Sequence, residues 1–75
     1  MNNHIKYLES FIRHMKQMRF EQELTQEMLA KKCNMNYSSI IRIECRQAKN
    51  PTLKMLVQIA NGLEIPFHEF FKNLR

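Results

Sequence analysis

Residues 24–45 read LTQEMLAKKCNMNYSSIIRIEC, and the way this stretch divides decides the fold. Thr25 can accept a hydrogen bond from a helix's first free N–H groups, and Gln26 and Glu27 suit a first turn. Leu24, just before that cap, can staple to Leu29 at the fourth helical position. A short helix therefore starts at Thr25. It ends after Cys33, because Asn34 is, after glycine, the residue that best tolerates the left-handed backbone of a tight helix exit. Asn36 repeats the device, with Met35 and Ile40 as a second staple, and opens another helix over about 36–45. Two capped helices separated only by Asn34 and Met35 make a sharp corner. In the second of them Ile40 and Ile43 point one way, leaving Tyr37, Ser38, Ser39, Ile41 and Arg42 for the other faces.

Upstream, Ile5, Leu8, Ile12, Met15 and Met18 recur at steps of three and four, one face of an amphipathic helix that runs to about Gln22 and can be capped by Asn2 or Asn3. Its other face mixes Glu9 with Lys6, Arg13 and Lys16, which suits packing on a core better than lying on a membrane. Downstream, Asn50-Pro51 marks a loop, and Thr52 opens a helix with Leu53, Leu56, Val57, Ile59, Ala60 and Leu63 on its inner side and Gly62 near its end. Pro66 can begin a helix but not continue one. A fifth helix is expected from there to about Leu74, with Phe67, Phe70, Phe71 and Leu74 at i, i+3, i+4 and i+7. No strand pattern and no internal repeat appear. The expectation is an all-α, compact five-helix domain spanning residues 1–75, near the lower size limit for folding alone, so stability is expected to be shared with a partner chain.

The net charge of +5 is concentrated: residues 31–54 hold Lys31, Lys32, Arg42, Arg46, Lys49 and Lys54 against Glu44 alone, while charges elsewhere cancel. A one-sign segment around a short helix is the electrostatic footprint of a polyanion partner, although basic patches also serve membranes and acidic proteins. Cys33 and Cys45 are too far apart for a paired ligand motif, and His4, His14 and His68 stand singly, so free thiols and no metal or cofactor are expected. The absence of a long apolar run and of an apolar N-terminal core leads to the expectation of a cytoplasmic protein with no membrane partner. Paired carboxylates, a nucleophile elbow and a phosphate-cradling glycine loop are all missing, which argues against an enzyme.

Leu24-Thr25-Gln26-Glu27-Met28-Leu29-Ala30, then Asn34-Met35-Asn36, then Ile40, Ile43-Glu44 and Pro51 resemble the Cro/C1-type helix-turn-helix, or xenobiotic-response-element, family, with similarity over residues 12–72. The resemblance implies a lambda-repressor-like fold in which residues 25–33 form a positioning helix and residues 36–45 a recognition helix that enters the major groove. Residue by residue, it implies base contacts from Tyr37, Ser38 and Arg42. Arg42 could pair bidentately with guanine, and Ser38 could bond any base. Tyr37 could touch phosphate, stack, meet a thymine methyl, or merely cover Met35. Backbone contacts are expected from Gln26, Ser39, Arg46, Lys49 and Lys32. Arg19 and Glu44 match a structural salt bridge between the first and third helices. The region 64–75, through Ile65, Phe67, Phe70, Phe71 and Leu74, matches a homodimer interface, so the implied partner is double-stranded DNA with an inverted-repeat operator and no small-molecule ligand.

Several positions depart from the family pattern. Asn34, Glu23 and Arg46 stand where glycine is common, and Met28 stands where a capping-box Glu is common. Ile41 occupies a usually polar position, where it either meets a thymine methyl or lies exposed. The resemblance implies a transcriptional regulator, a phage-type repressor or a restriction-modification controller. The fold also serves antitoxins, whose main partner is a toxin, and the alternative is such a protein-binding module that neutralises a toxin and autoregulates its operon.

Overall fold

A computed structural model of the chain describes residues 3–74, apart from the side chain of Asn3; the cap expected of Asn2 or Asn3 lies outside the described residues. It contains α1 (Asn3–Glu21), α2 (Gln26–Cys33), α3 (Tyr37–Glu44), α4 (Leu53–Leu63) and a C-terminal 3₁₀ turn (Phe67–Phe71). Thr25 caps α2 by accepting a hydrogen bond from the Met28 N–H at 3.0 Å, and Thr52 does the same for the Met55 N–H of α4 at 3.1 Å. Asn34 ends α2 at φ 56°, ψ 45°, and its N–H reaches back to Ala30 and Lys31 carbonyls. Asn36 occupies the position before α3, but its side chain makes no capping bond.

Phe11, Ile12 and Met15 of α1, Leu29, Ala30 and Cys33 of α2, Ile40 and Ile43 of α3, and Ile59, Ala60 and Leu63 of α4 form one core, closed by Phe70. The helix pairs at its centre are α2 with α3 and α2 with α4, while α1 carries the C-terminal turn. Burial pushes the Cys33 thiol up to about 11, with Lys32 opposing, so at neutral pH it stays protonated. Gly62 sits inside α4 against Cys33, where any Cβ would collide with the thiol sulfur.

The C-terminal segment differs from the sequence expectation. Instead of a fifth α-helix reaching Leu74, a five-residue 3₁₀ turn ends at Lys72, which returns to extended backbone at φ −65°, ψ 146°. A 3₁₀ turn has about three residues per turn, so Phe67 and Phe70 share a side. Both dock on Phe11, at ring-centroid distances of 5.9 and 4.5 Å. The buried Ser10 hydroxyl fixes the register by donating to the Phe70 carbonyl at 2.9 Å.

Phe70 is fully enclosed as a result and cannot be shared with a second chain, which removes it from the set expected at a dimer face. Ile65, Phe67, Phe71 and Leu74 remain partly exposed. They do not form one stripe. Phe67 and Phe71 open into an apolar groove beside Tyr7 and Leu53, whereas Ile65 faces the C-terminal half of α1.

Candidate nucleic-acid interface

The α2–α3 corner is locked from behind by one carboxylate. Glu44, at the end of α3, is 3 % exposed and accepts from Arg19 Nε at 2.8 Å, Arg19 Nη2 at 3.0 Å and Gln26 Nε2 at 2.9 Å. Arg19 Nη1 also donates to the Leu24 carbonyl at 3.0 Å. Helix α1, the loop before α2, the first turn of α2 and the end of α3 thus share a single hydrogen-bonded knot. Gln26 uses its amide N–H in this knot, leaving its carbonyl oxygen for other partners.

With its inner face fixed by Ile40, Ile43 and Glu44, α3 presents Tyr37, Ser38 and Arg42 to solvent; Ser39 and Ile41 are half-buried. Ser38 and Arg42, four residues apart, lie one turn above the other on the same face. Tyr37 is 48 % exposed at the N-terminal end of α3. Ser39 and Arg42 form one side of a cleft of about 230 Å³ whose other side is the loop between α3 and α4, including Lys49. Lys49 also lines a second depression, of about 320 Å³, together with Arg46 and Glu9. Arg42, Lys49 and Arg46 therefore follow one another around the α3–α4 loop as a basic strip.

Two of the expected backbone-contact residues have acidic neighbours that no local spacing announces. Arg46 Nε donates to both Glu9 oxygens, at 2.8 and 2.7 Å. Lys32 Nζ lies 3.3 Å from Glu64, a pair that joins the C-terminal ends of α2 and α4. Among the described residues Lys31, Arg42, Lys49 and Lys54 make no ion pair, so they carry most of the uncompensated charge of the 31–54 segment. No group of His, Cys, Asp and Glu among the described residues is arranged to hold a metal ion, and no helix is long and apolar enough to cross a membrane.

Glu9 is the residue of this surface that sequence reasoning missed, since its partner lies 37 positions away. Tyr7 and Leu53, exposed beside the C-terminal aromatics, were also missed. Leu53 looked like the first residue of a buried stripe, and Tyr7 falls off the periodic face of the first helix.

Compared with known families, the chain matches the family described as helix-turn-helix over residues 15–70, most of its length. No curated protein and no solved structure matches it.

Proposed function

From the premise that this chain belongs to the Cro/C1-type helix-turn-helix family, whose members are non-enzymatic DNA-binding transcriptional regulators, we propose that it acts as a dimeric repressor or restriction-modification controller. In this reading α2 is the positioning helix, and α3 lays its N-terminal half in the major groove of an inverted-repeat operator. Tyr37, Ser38 and Arg42 read base edges. Ser39, Lys49 and Arg46 hold phosphates beside them, and Gln26 can add its carbonyl side to a water-mediated contact. Lys32, paired with Glu64, contributes long-range attraction only.

The observation that carries this reading is the pairing of a polar outer face on α3 with an adjoining basic strip on the loop that follows it, both seated on the Arg19–Glu44–Gln26 knot. An antitoxin role remains the second reading, favoured by the apolar groove beside Tyr7 and Leu53, which could take a protein partner. An antitoxin that autoregulates its operon would share the DNA reading, so site selection from a random duplex pool tests DNA binding itself. A DNA reader enriches a palindromic sequence, and Arg42→Ala relaxes one or two positions of each half-site at a loss of about 1 to 3 kcal/mol, while Lys49→Ala weakens all sequences alike. Affinity falls linearly on a log–log plot against salt, with a slope of about −0.9 per phosphate neutralised. A flat salt response, or identical sequence preferences for Arg42→Ala and the parent protein, counts against this assignment.

A further inference from the structure

Two arginines of this protein hold carboxylates in different ways. Arg19 grips Glu44 through Nε and Nη2 and gives Nη1 to the Leu24 carbonyl, and its guanidinium is buried. Arg46 gives only Nε to Glu9, reaching both carboxylate oxygens, and lies about half exposed. A guanidinium has five N–H donors in a rigid fork. Gripped at Nε, Arg46 keeps both terminal amino groups, the pair suited to two oxygens of a phosphate.

Its backbone points the same way. Arg46 sits at φ 65°, a left-handed position that favours glycine, and it launches its side chain from the first turn beyond the recognition helix. The Arg46 guanidinium also shares the 320 Å³ depression with Lys49, which continues to the cleft holding Arg42.

We propose that Glu9 is a positioning residue for DNA binding: it clamps Arg46 Nε so that the terminal amino groups of Arg46 engage a backbone phosphate next to the one held by Lys49. Helix α1, remote from the helix-turn-helix in sequence, thereby takes part in docking. This rests on the DNA-binding reading for the identity of the ligand, but the anion site itself can be tested without DNA. The charge change makes the test sharp. Removing a negative charge from a DNA-binding protein should by itself tighten binding through the long-range field, whereas loss of a positioned Arg weakens it.

The experiment compares Glu9→Gln, Glu9→Asp, Arg46→Gly and the parent chain. Duplex affinity should fall about three- to tenfold in Glu9→Gln, with partial recovery in Glu9→Asp. Arg46→Gly should weaken all sequences alike and reduce the salt slope by about 0.9, while its melting temperature holds or rises as the left-handed strain is relieved. In parallel, inorganic phosphate should perturb the Arg46 Nε–H resonance of the parent and not of Glu9→Gln. Tighter duplex binding by Glu9→Gln would show that Glu9 masks Arg46, and unchanged binding would reduce the pair to a surface contact; either overturns the proposal. A phosphate response without duplex binding would instead overturn the DNA reading and leave the anion clamp standing.

Discussion

Glu23, Asn34, Arg46, Glu64 and Asn73 all take left-handed backbone, at φ 57, 56, 65, 60 and 63°. An L-residue there costs roughly 1–2 kcal/mol, least for Asn. The single glycine of the chain lies elsewhere, inside α4, where a side chain would strike Cys33. Turn geometry is thus met without the residue that meets it most cheaply. Glu23 makes no ion pair or side-chain hydrogen bond among the described residues, so Glu23→Gly isolates the backbone effect. Relief of strain should exceed the extra freedom glycine gives the unfolded chain, roughly 0.5–1 kcal/mol, and raise stability by up to about 1 kcal/mol. Gly62→Ala should lower it by about 1 to 3 kcal/mol through overpacking. Urea unfolding measures both, and a Glu23→Gly variant less stable than the parent would contradict the strain argument.

The Arg19–Glu44 pair was legible only through family resemblance, since nothing in spacing joins positions 25 apart. Its burial sets an energetic expectation. Arg19→Met or Glu44→Leu alone leaves a buried charge unpaired and should cost about 3 to 5 kcal/mol, and the double variant should recover a large part of that. Thermal melts of the full cycle check it, and simple additivity of the two losses would mean the charges do not interact. By contrast, the Arg46–Glu9 pair is half exposed and should contribute at most about 1 kcal/mol to stability. That contrast is why its effect should appear in binding and not in folding.

At the scale of elements, local chemistry made α2, α3 and α4 readable to within a residue or so, because caps and hydrophobic spacing agree there. Thr25 and Thr52 make their capping bonds, whereas Asn36 does not. Thr25→Ala should therefore cost about 0.5 to 2 kcal/mol, and Asn36→Ala distinctly less. Equal losses in chemical denaturation would show that Asn36 caps α3 after all.

The two ends of the chain were read less well, for one shared reason. The periodic stripe of the first helix placed Ile5 inward, yet Ile5 is exposed and Phe11 is fully buried. Phe11 is inward because the C-terminal phenylalanines stack on it, a contact spanning almost the whole sequence. The same contact, with the Ser10 bond to the Phe70 carbonyl, selects a 3₁₀ turn over the α-helix that the i, i+3, i+4, i+7 pattern suggests. Tertiary packing fixed both ends, and local sequence carries no record of it.

In the whole molecule, the groove beside the C-terminal turn is the feature that bears on assembly. It encloses about 720 Å³ between Tyr7, Leu8 and Phe11 of α1, Pro51, Leu53 and Leu56 around the start of α4, and Phe67 and Phe71. Leu53 is 66 % and Tyr7 50 % exposed, an apolar surface that a small basic domain would gain by covering. A second copy is the occupant that also fits the inverted-repeat operator proposed above, because a two-fold contact presents the same patch from both subunits. Two recognition helices would then stand about 34 Å apart, matching half-sites about 10 base pairs from centre to centre. Leu53→Glu is the informative change: in the single chain the side chain already faces solvent, so the fold of the protomer should survive while the apolar contact is lost. Phe70→Asp cannot serve, because it would place a charge in the core. Sedimentation equilibrium should show a parent dimer at micromolar concentration and a folded Leu53→Glu monomer, and footprinting should shrink from two half-sites to weak protection of one. A parent protein that stays monomeric and protects a single non-palindromic half-site would refute the dimer; a parent dimer untouched by Leu53→Glu would move its interface away from this groove, toward Ile65 and Leu74.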